Sequence, residues 1–141
     1  MNKFVNNLVT GVYGSGRIVL QPFAYKDKKH GVIEVPAGFI TDGASIPRFG
    51  WSIIGVSPFD SGVVYSAVIH DWLYATRKVN RREADKIFLR SMRSLGFLQE
   101  WQMKIMYRAV RMFGWRYYKT AVDMDKIVYP DKLKHYIKTN G

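Results

Sequence analysis

Two short motifs in this sequence carry residue types that could do acid–base chemistry. A His-Asp-x-x-Tyr run holds His70, Asp71 and Tyr74, and an Ala-Asp-x-x-Phe run holds Asp85 and Phe88. A carboxylate bonded to one imidazole nitrogen fixes the tautomer of the histidine and leaves the other nitrogen as a base. The residue types therefore predict that His70 and Asp85 form a pair that activates water or a hydroxyl group.

Asp71 and Tyr74 follow His70 by one and four residues on the same predicted helix. Tyr74 lies one turn after His70 and therefore on the same helix face. Asp71 is rotated by about 100° around the helix, so it can face a loop and hold a hard cation. We predict His70, Asp85 and Tyr74 as catalytic residues and Asp71 as a metal ligand.

Two helices joined by a short turn must position these residues. The first predicted helix starts with Ser-Pro-Phe-Asp at 57–60, an N-cap serine followed by proline and an acid, and runs to about Arg77. The second begins at Asn80, with Glu83 three residues later as in a capping box, and ends near Gly96. Together they form a predicted antiparallel helical hairpin.

The predicted hairpin places His70 opposite Asp85. The centre of the turn falls near residue 78, at a similar sequence distance from both residues. Residues equally far from a tight antiparallel turn lie at nearly the same height, since each residue adds about 1.5 Å of rise. Catalysis at His70 further requires a cleft that is open to solvent.

A structural role explains the same residues. A histidine on an apolar helix face is more often a satisfied core residue than a base, and Val63 and Ala67 precede His70 on its face. The pair with Asp85 could be only a buried structural hydrogen bond. A His70 side chain sealed from solvent on all sides would favour this interpretation over catalysis.

The chain as a whole predicts an α+β fold in a single domain, residues 1–141. Residues 1–56 are expected to be strand and loop, 57–122 a helical core of three helices, and 123–141 a basic tail. The expected architecture is a small N-terminal antiparallel β hairpin or sheet followed by the three helices, the first two forming the hairpin.

The strands and the third helix follow from local patterns. β-rich runs at 17–25 and 31–39 are joined by a polar connection, and a Gly-, Ser- and Pro-rich stretch at 40–58 is expected to be a long loop. A third helix is expected over 98–120. Its apolar stripe is Met103, Met106, Val110, Phe113 and Tyr117, and its opposite, charged face is Lys104, Arg108 and Arg111.

Composition restricts the classes of function. The 141 residues carry 22 Lys and Arg against 11 Asp and Glu, a net charge of +11, and no cysteine, which excludes disulfides and thiolate sites. Such a charge favours an anionic membrane surface, nucleic acid or an acidic protein as partner, or serves solubility alone. We predict neither a signal peptide nor a transmembrane segment.

Three motifs resemble a family of small proteins that is common in tailed bacteriophages and prophages. They are VPAGFITDGASIPRFGW at 35–51, SAVIHDWLY at 66–74 and READKIF at 82–88. The family is catalogued as domain of unknown function 1353, and the resemblance covers residues 35–115. It implies a phage origin, and hence a location in the virion or the host cytoplasm, but no activity.

The His-Asp-x-x-Tyr and Ala-Asp-x-x-Phe motifs also resemble the active-site helix pair of phospholipase A-two. By that resemblance His70 is the general base, Asp85 orients it, Tyr74 supports the pair and Asp71 binds calcium. Calcium in that family polarises the sn-2 ester carbonyl of a phospholipid. The best counterpart of the family's calcium loop is TDGASIP at 41–47, which adds Asp42 and Gly43 as metal residues.

The second resemblance implies a phage-encoded hydrolase. It would cleave a lipid or related ester of the host envelope during entry or lysis. A different class explains the same sequence: a non-catalytic virion component, such as a tail or neck protein, whose basic face contacts other virion proteins. A third is an intracellular phage effector that binds a host protein or nucleic acid.

Overall fold

A computed structural model describes residues 1–41, 46–55, 62–118 and 130–140. Within these ranges the strands are β1 (Lys3–Phe4), β2 (Thr10–Tyr13), β3 (Gly16–Val19), β4 (Phe23–Asp27), β5 (Gly31–Val35) and β6 (Ile40–Thr41). The helices are α1 (Arg48–Ile54), α2 (Val63–Thr76), α3 (Arg81–Leu95), α4 (Glu100–Phe113), α5 (Trp115–Tyr118) and α6 (Pro130–Asn140). The fold is α+β, with two small antiparallel sheets and several helices.

The strands form two sheets of three, ordered β1-β4-β5 and β2-β3-β6. β4 and β5 make the predicted hairpin, with Asp27 opposite Gly31, whose φ of 76° suits glycine at the turn. The β-rich run at 17–25 contains parts of two strands. That run is divided between β3 and β4 of different sheets, because Pro22 has no N–H with which to continue a ladder.

α1 forms within the stretch that was expected to be a long loop, so that expectation is wrong there. The helix follows Pro47 and ends at Gly55, which has φ 73°. Trp51 and Ile54 are buried in one cluster with side chains of α3 and α4. A seven-residue helix is marginal by itself, so its stability comes from this packing, which sequence patterns do not reveal.

The predicted helical hairpin is present as α2 and α3. The expected start of its first helix at 57–60 lies outside the described residues. α3 has the predicted ends: the Asn80 side chain accepts a hydrogen bond from the Glu83 N–H at 2.8 Å, and Gly96 has φ 78°. The Glu83 side chain does not close a capping box; it lies 2.9 Å from His30 Nε2 instead.

The predicted third helix is interrupted. α4 ends before Gly114, α5 is a single turn, and the expected end at Thr120 lies outside the described residues. Met103, Met106 and Val110 are buried as predicted. Tyr117 is 44% exposed, since the apolar period does not continue across Gly114.

α2 is the central element of the fold, with buried residues around its whole circumference. One hydrophobic cluster joins it to the sheets, through Phe23, Tyr25, Val35 and Phe39. A second joins its first turns to α1, α3 and α4. His70 and Asp71 therefore lie in the middle of the described structure. Among the described helices, none is long and apolar enough to cross a bilayer.

Candidate functional site

The α2–α3 hairpin brings His70 and Asp85 into contact. His70 Nε2 lies 2.8 Å from Asp85 Oδ1 across the two helices. α2 is capped by Arg77, which adopts a left-handed conformation with φ 53°, and α3 starts four residues later. The side-chain contact that turn spacing predicted is present, while the catalytic roles of both residues stay predictions.

Asp85 accepts hydrogen bonds from four side chains of three helices. Tyr74 Oη donates to Oδ1 at 2.6 Å, beside the contact with His70. Arg111 Nη1 donates to Oδ2 at 2.8 Å, and Arg81 Nη1 donates to it at 3.4 Å. Arg81 also donates to the carbonyl oxygens of Val110 and Arg111, at 2.9 and 3.1 Å. The carboxylate thus ties α2, α3 and the end of α4 together.

This coordination keeps Asp85 ionised inside the protein. Burial alone would raise the pKa of Asp85, but the hydrogen bonds from His70, Tyr74 and Arg111 outweigh it and hold the pKa below its ordinary value. Burial and the adjacent carboxylate raise the pKa of Tyr74, so the phenol stays neutral and donates. An ionised Asp85 fixes the Nε2 side of His70, and Nδ1 is the nitrogen that a base would use.

Aromatic rings enclose the imidazole. The rings of Tyr74 and Phe88 lie 4.2 and 4.8 Å from that of His70, centroid to centroid. The Tyr74 ring meets Tyr118 of α5 edge-on at 5.2 Å. Gly114 makes this approach possible, because a Cβ atom there would lie 2.6 Å from Tyr74 Oη.

Asp71 faces a different part of the fold. Its Oδ2 accepts a hydrogen bond from Thr41 Oγ1 of β6 at 2.7 Å, and the side chain is buried. Asp42 and Gly43, the other predicted metal residues, lie outside the described residues. The described ranges contain no group of three or more His, Asp or Glu residues that could hold a metal ion.

The solvent-open cleft that catalysis at His70 requires is absent from the described structure. His70 and Asp85 are each 0% exposed, Asp71 2% and Tyr74 3%. No atom of the imidazole meets solvent, so a substrate cannot reach it without movement of its surroundings. Burial could not be predicted from the hairpin alone, because β6, α4 and α5 contribute to it.

Residues from distant elements complete the site, and sequence analysis missed them. Arg111 was assigned to the charged face of the third helix but binds Asp85, so that assignment is wrong. Arg81 lies one turn before Asp85, an (i, i+4) spacing that could have indicated the contact. Thr41 and Gly114 gave no signal, since their roles depend on tertiary contacts.

The model of a family described as "Protein of unknown function (DUF1353)" matches residues 18–110. The chain belongs to this family. The DUF1353 match includes the whole α2–α3 hairpin, so His70, Asp71, Tyr74 and Asp85 all lie within it, whereas β1, β2 and α6 lie outside.

Two curated relatives of this DUF1353 chain come from Sinorhizobium fredii (strain NBRC 101917 / NGR234). "Uncharacterized protein y4jT" is 37% identical over 92 residues, which cover 65% of this chain and 27% of the relative. "Uncharacterized protein y4iH" is 32% identical over 120 residues, covering 79% of this chain and 49% of the relative. The chain thus spans less than half the length of either relative. No solved structure matches it significantly.

Proposed function

We propose that this DUF1353 protein is a non-catalytic, phage-derived component that works through its surface, in an assembly such as a tail or neck. The His70–Asp85 pair then locks its helical core. One observation carries the proposal: His70 is fully buried while Asp85 accepts bonds from four side chains of three helices. A base must present a lone pair to its substrate, and a sealed imidazole cannot.

The phage origin rests on the three motifs that resemble proteins of tailed phages and prophages. Its test is mass spectrometry of purified particles from a phage or induced prophage that encodes this chain. A virion component should be present at a fixed copy number relative to the major capsid protein. Absence from purified particles would contradict a place in the virion.

A second candidate is a calcium-dependent hydrolase of an envelope lipid or related ester. The contact between His70 Nε2 and Asp85, supported by the Tyr74 hydroxyl, favours it, because the phospholipase motif uses these residue types in these roles. His70 would be the base and Asp85 its orienting partner. Calcium, held by Asp71 with Asp42 and Gly43, would polarise the ester carbonyl.

The described residues give only partial support for that metal. Asp71 offers a buried carboxylate, the hard oxygen donor that calcium prefers, but its Oδ2 is already bonded to Thr41. The other two predicted ligands lie outside the described residues. The hydrolase therefore stands behind the non-catalytic proposal.

One assay separates the two candidates. Fatty-acid release from mixed phospholipid vesicles is measured with calcium or with a chelator, for wild type, His70→Ala and the surface control His30→Ala. A non-catalytic protein gives no release above buffer in any arm. Calcium-dependent release that His70→Ala abolishes and His30→Ala keeps would establish the hydrolase and overturn the first proposal.

A further inference from the structure

The outer face of α4 carries an uncovered stripe of cationic and large apolar side chains. We call Trp101, Lys104, Arg108, Met112 and Trp115 the outer stripe. The spacing of 3, 4 and 4 residues places the first four on one side of α4, Trp115 follows at the start of α5, and all five are exposed. Trp101 is 50% exposed and Met112 is 64% exposed. The opposite side of α4 is buried in the core, so the outer stripe is the part of this helix that a partner can reach.

The charge of this segment has one sign. Residues 101–118 contain one lysine and three arginines and no aspartate or glutamate. Glu100 precedes the stripe and is paired with Arg93. Among the described residues, neither Lys104 nor Arg108 forms a salt bridge. Two exposed cations that form no salt bridge within the described residues favour an anionic ligand.

α1, which packs on the buried side of α4, adds further exposed apolar side chains. It packs along α4, where Gly50 lies against Met106 and Ala109. Phe49 of α1 is 44% exposed and Ile53 is 56% exposed. A combination of exposed cations and exposed apolar side chains is typical of a surface that lies in the headgroup region of a bilayer.

We propose that α1 and the outer stripe of α4 bind an anionic phospholipid membrane, with α4 parallel to its surface. Trp101 and Met112 lie eleven residues apart, roughly 16 Å along the helix. Both side chains can therefore enter the membrane together only if the helix lies parallel to its surface. Lys104 and Arg108 between them meet the lipid phosphates. Trp101 prefers the interface, and Met112 the acyl boundary.

Nucleic acid fits this surface less well. Nucleic acid binds cations through its phosphates and aromatic rings through its bases, but it gives the exposed Met112 and Ile53 no apolar environment. Membrane binding places both side chains in an apolar environment. The inference is independent of the proposed function, since it needs no chemistry at His70 and no place in a virion.

The test is flotation of the full chain with vesicles of phosphatidylcholine alone or mixed with phosphatidylglycerol. Binding should require the anionic lipid and weaken with added salt. Replacing Lys104 and Arg108 by glutamine should weaken binding about thirtyfold, as each cation near an anionic surface contributes roughly a factor of five. Met112→Ser should also weaken it. The exposed β-strand variant Val32→Ser is the control and should bind normally.

Duplex and single-stranded DNA form the competing arm of the experiment. Failure to bind anionic vesicles would overturn the proposal. A combination of two results would also overturn it. DNA binding would be lost when Lys104 and Arg108 are replaced, and vesicle binding would be unchanged in Met112→Ser. All substituted side chains are exposed, and circular dichroism should show unchanged folding in every variant.

Discussion

At Asp85 a single carboxylate accepts hydrogen bonds from His70, Tyr74, Arg81 and Arg111. Burying an isolated charge is costly, so its four donors must offset the desolvation together. Removing the charge would leave two guanidinium groups facing a neutral side chain. The energetic importance of the site therefore lies in Asp85 as an acceptor, whether or not His70 has a chemical role.

We expect Asp85→Asn to lower the free energy of unfolding by on the order of 3 kcal/mol, because the amide keeps the shape but not the charge that Arg111 and Arg81 require. Urea denaturation followed by tryptophan fluorescence measures this. The control is Glu100→Gln, an exposed carboxylate in a surface pair. An Asp85→Asn midpoint equal to that of wild type would contradict the central role of the carboxylate.

Gly114 tests how closely α4 approaches Tyr74. A Cβ atom at this position would lie 2.5 Å from the Val110 carbonyl oxygen and 2.6 Å from Tyr74 Oη, which is itself bonded to Asp85. Gly114→Ala should therefore cost about 1–3 kcal/mol of stability through overpacking. Part of that cost should disappear in a Tyr74→Phe background, which has no hydroxyl to displace. A double-mutant cycle with no coupling would show that the two residues are independent.

At the scale of elements, the hairpin was the predictable part of the fold. Asn80 and Gly96 bound α3 because their local chemistry suits helix ends, and local chemistry is what a sequence pattern contains. α1 and the interruption at Gly114 depend on packing between distant segments, which no local pattern reports. The pairing of His70 with Asp85 follows from turn spacing, whereas its burial depends on β6, α4 and α5.

A second buried carboxylate joins the sheet to the helices. Asp27 at the end of β4 accepts hydrogen bonds from Arg90 Nε and Nη2 of α3, at 3.0 and 3.2 Å. It also accepts the N–H groups of Lys29 and His30 in the turn, each at 3.1 Å. Burial would raise the pKa of Asp27, but the hydrogen bonds and charge of Arg90 lower it below its ordinary value.

This ion pair predicts how stability depends on pH. A carboxyl group whose pKa is lower in the folded chain stabilises the fold above its unfolded pKa, about 3.9, and that stabilisation is lost as pH falls toward the folded value. We expect the free energy of unfolding to decrease below about pH 4, and less steeply in Asp27→Asn. Urea titrations across this range measure it. Parallel pH curves for the two proteins would contradict the assignment.

At the scale of the whole molecule, the net charge is positive although several carboxylates are buried. The chain carries a net charge of +11, yet the buried side chains of the described residues include the carboxylates of Asp27, Asp71 and Asp85 beside His70. Composition indicated an anionic partner, and the structure locates exposed cations on the outer stripe of α4. Composition could not indicate which aspartates are internal, since that depends on which elements cover α2.

Chemical modification of the three histidines tests whether the molecule encloses His70 as a whole. Diethyl pyrocarbonate acylates neutral imidazole that reagent can reach. His135 is exposed and the side chain of His30, which contacts Glu83, is 25% exposed, whereas His70 is fully buried. We expect rapid modification of His135, slower modification of His30, and modification of His70 only as fast as the chain unfolds, with sites located by peptide mass spectrometry.

The same experiment with calcium and anionic vesicles distinguishes a permanent core from a site that opens. A permanently closed core keeps His70 unreactive in every condition. Asp85→Asn should make His70 reactive, because it weakens the hydrogen bonds that hold the helices together. Modification of His70 in the folded chain only with calcium or vesicles would mean that the partner binds a conformation in which the imidazole is open. That outcome would favour the hydrolase, because accessibility is the requirement of a base that the buried site lacks.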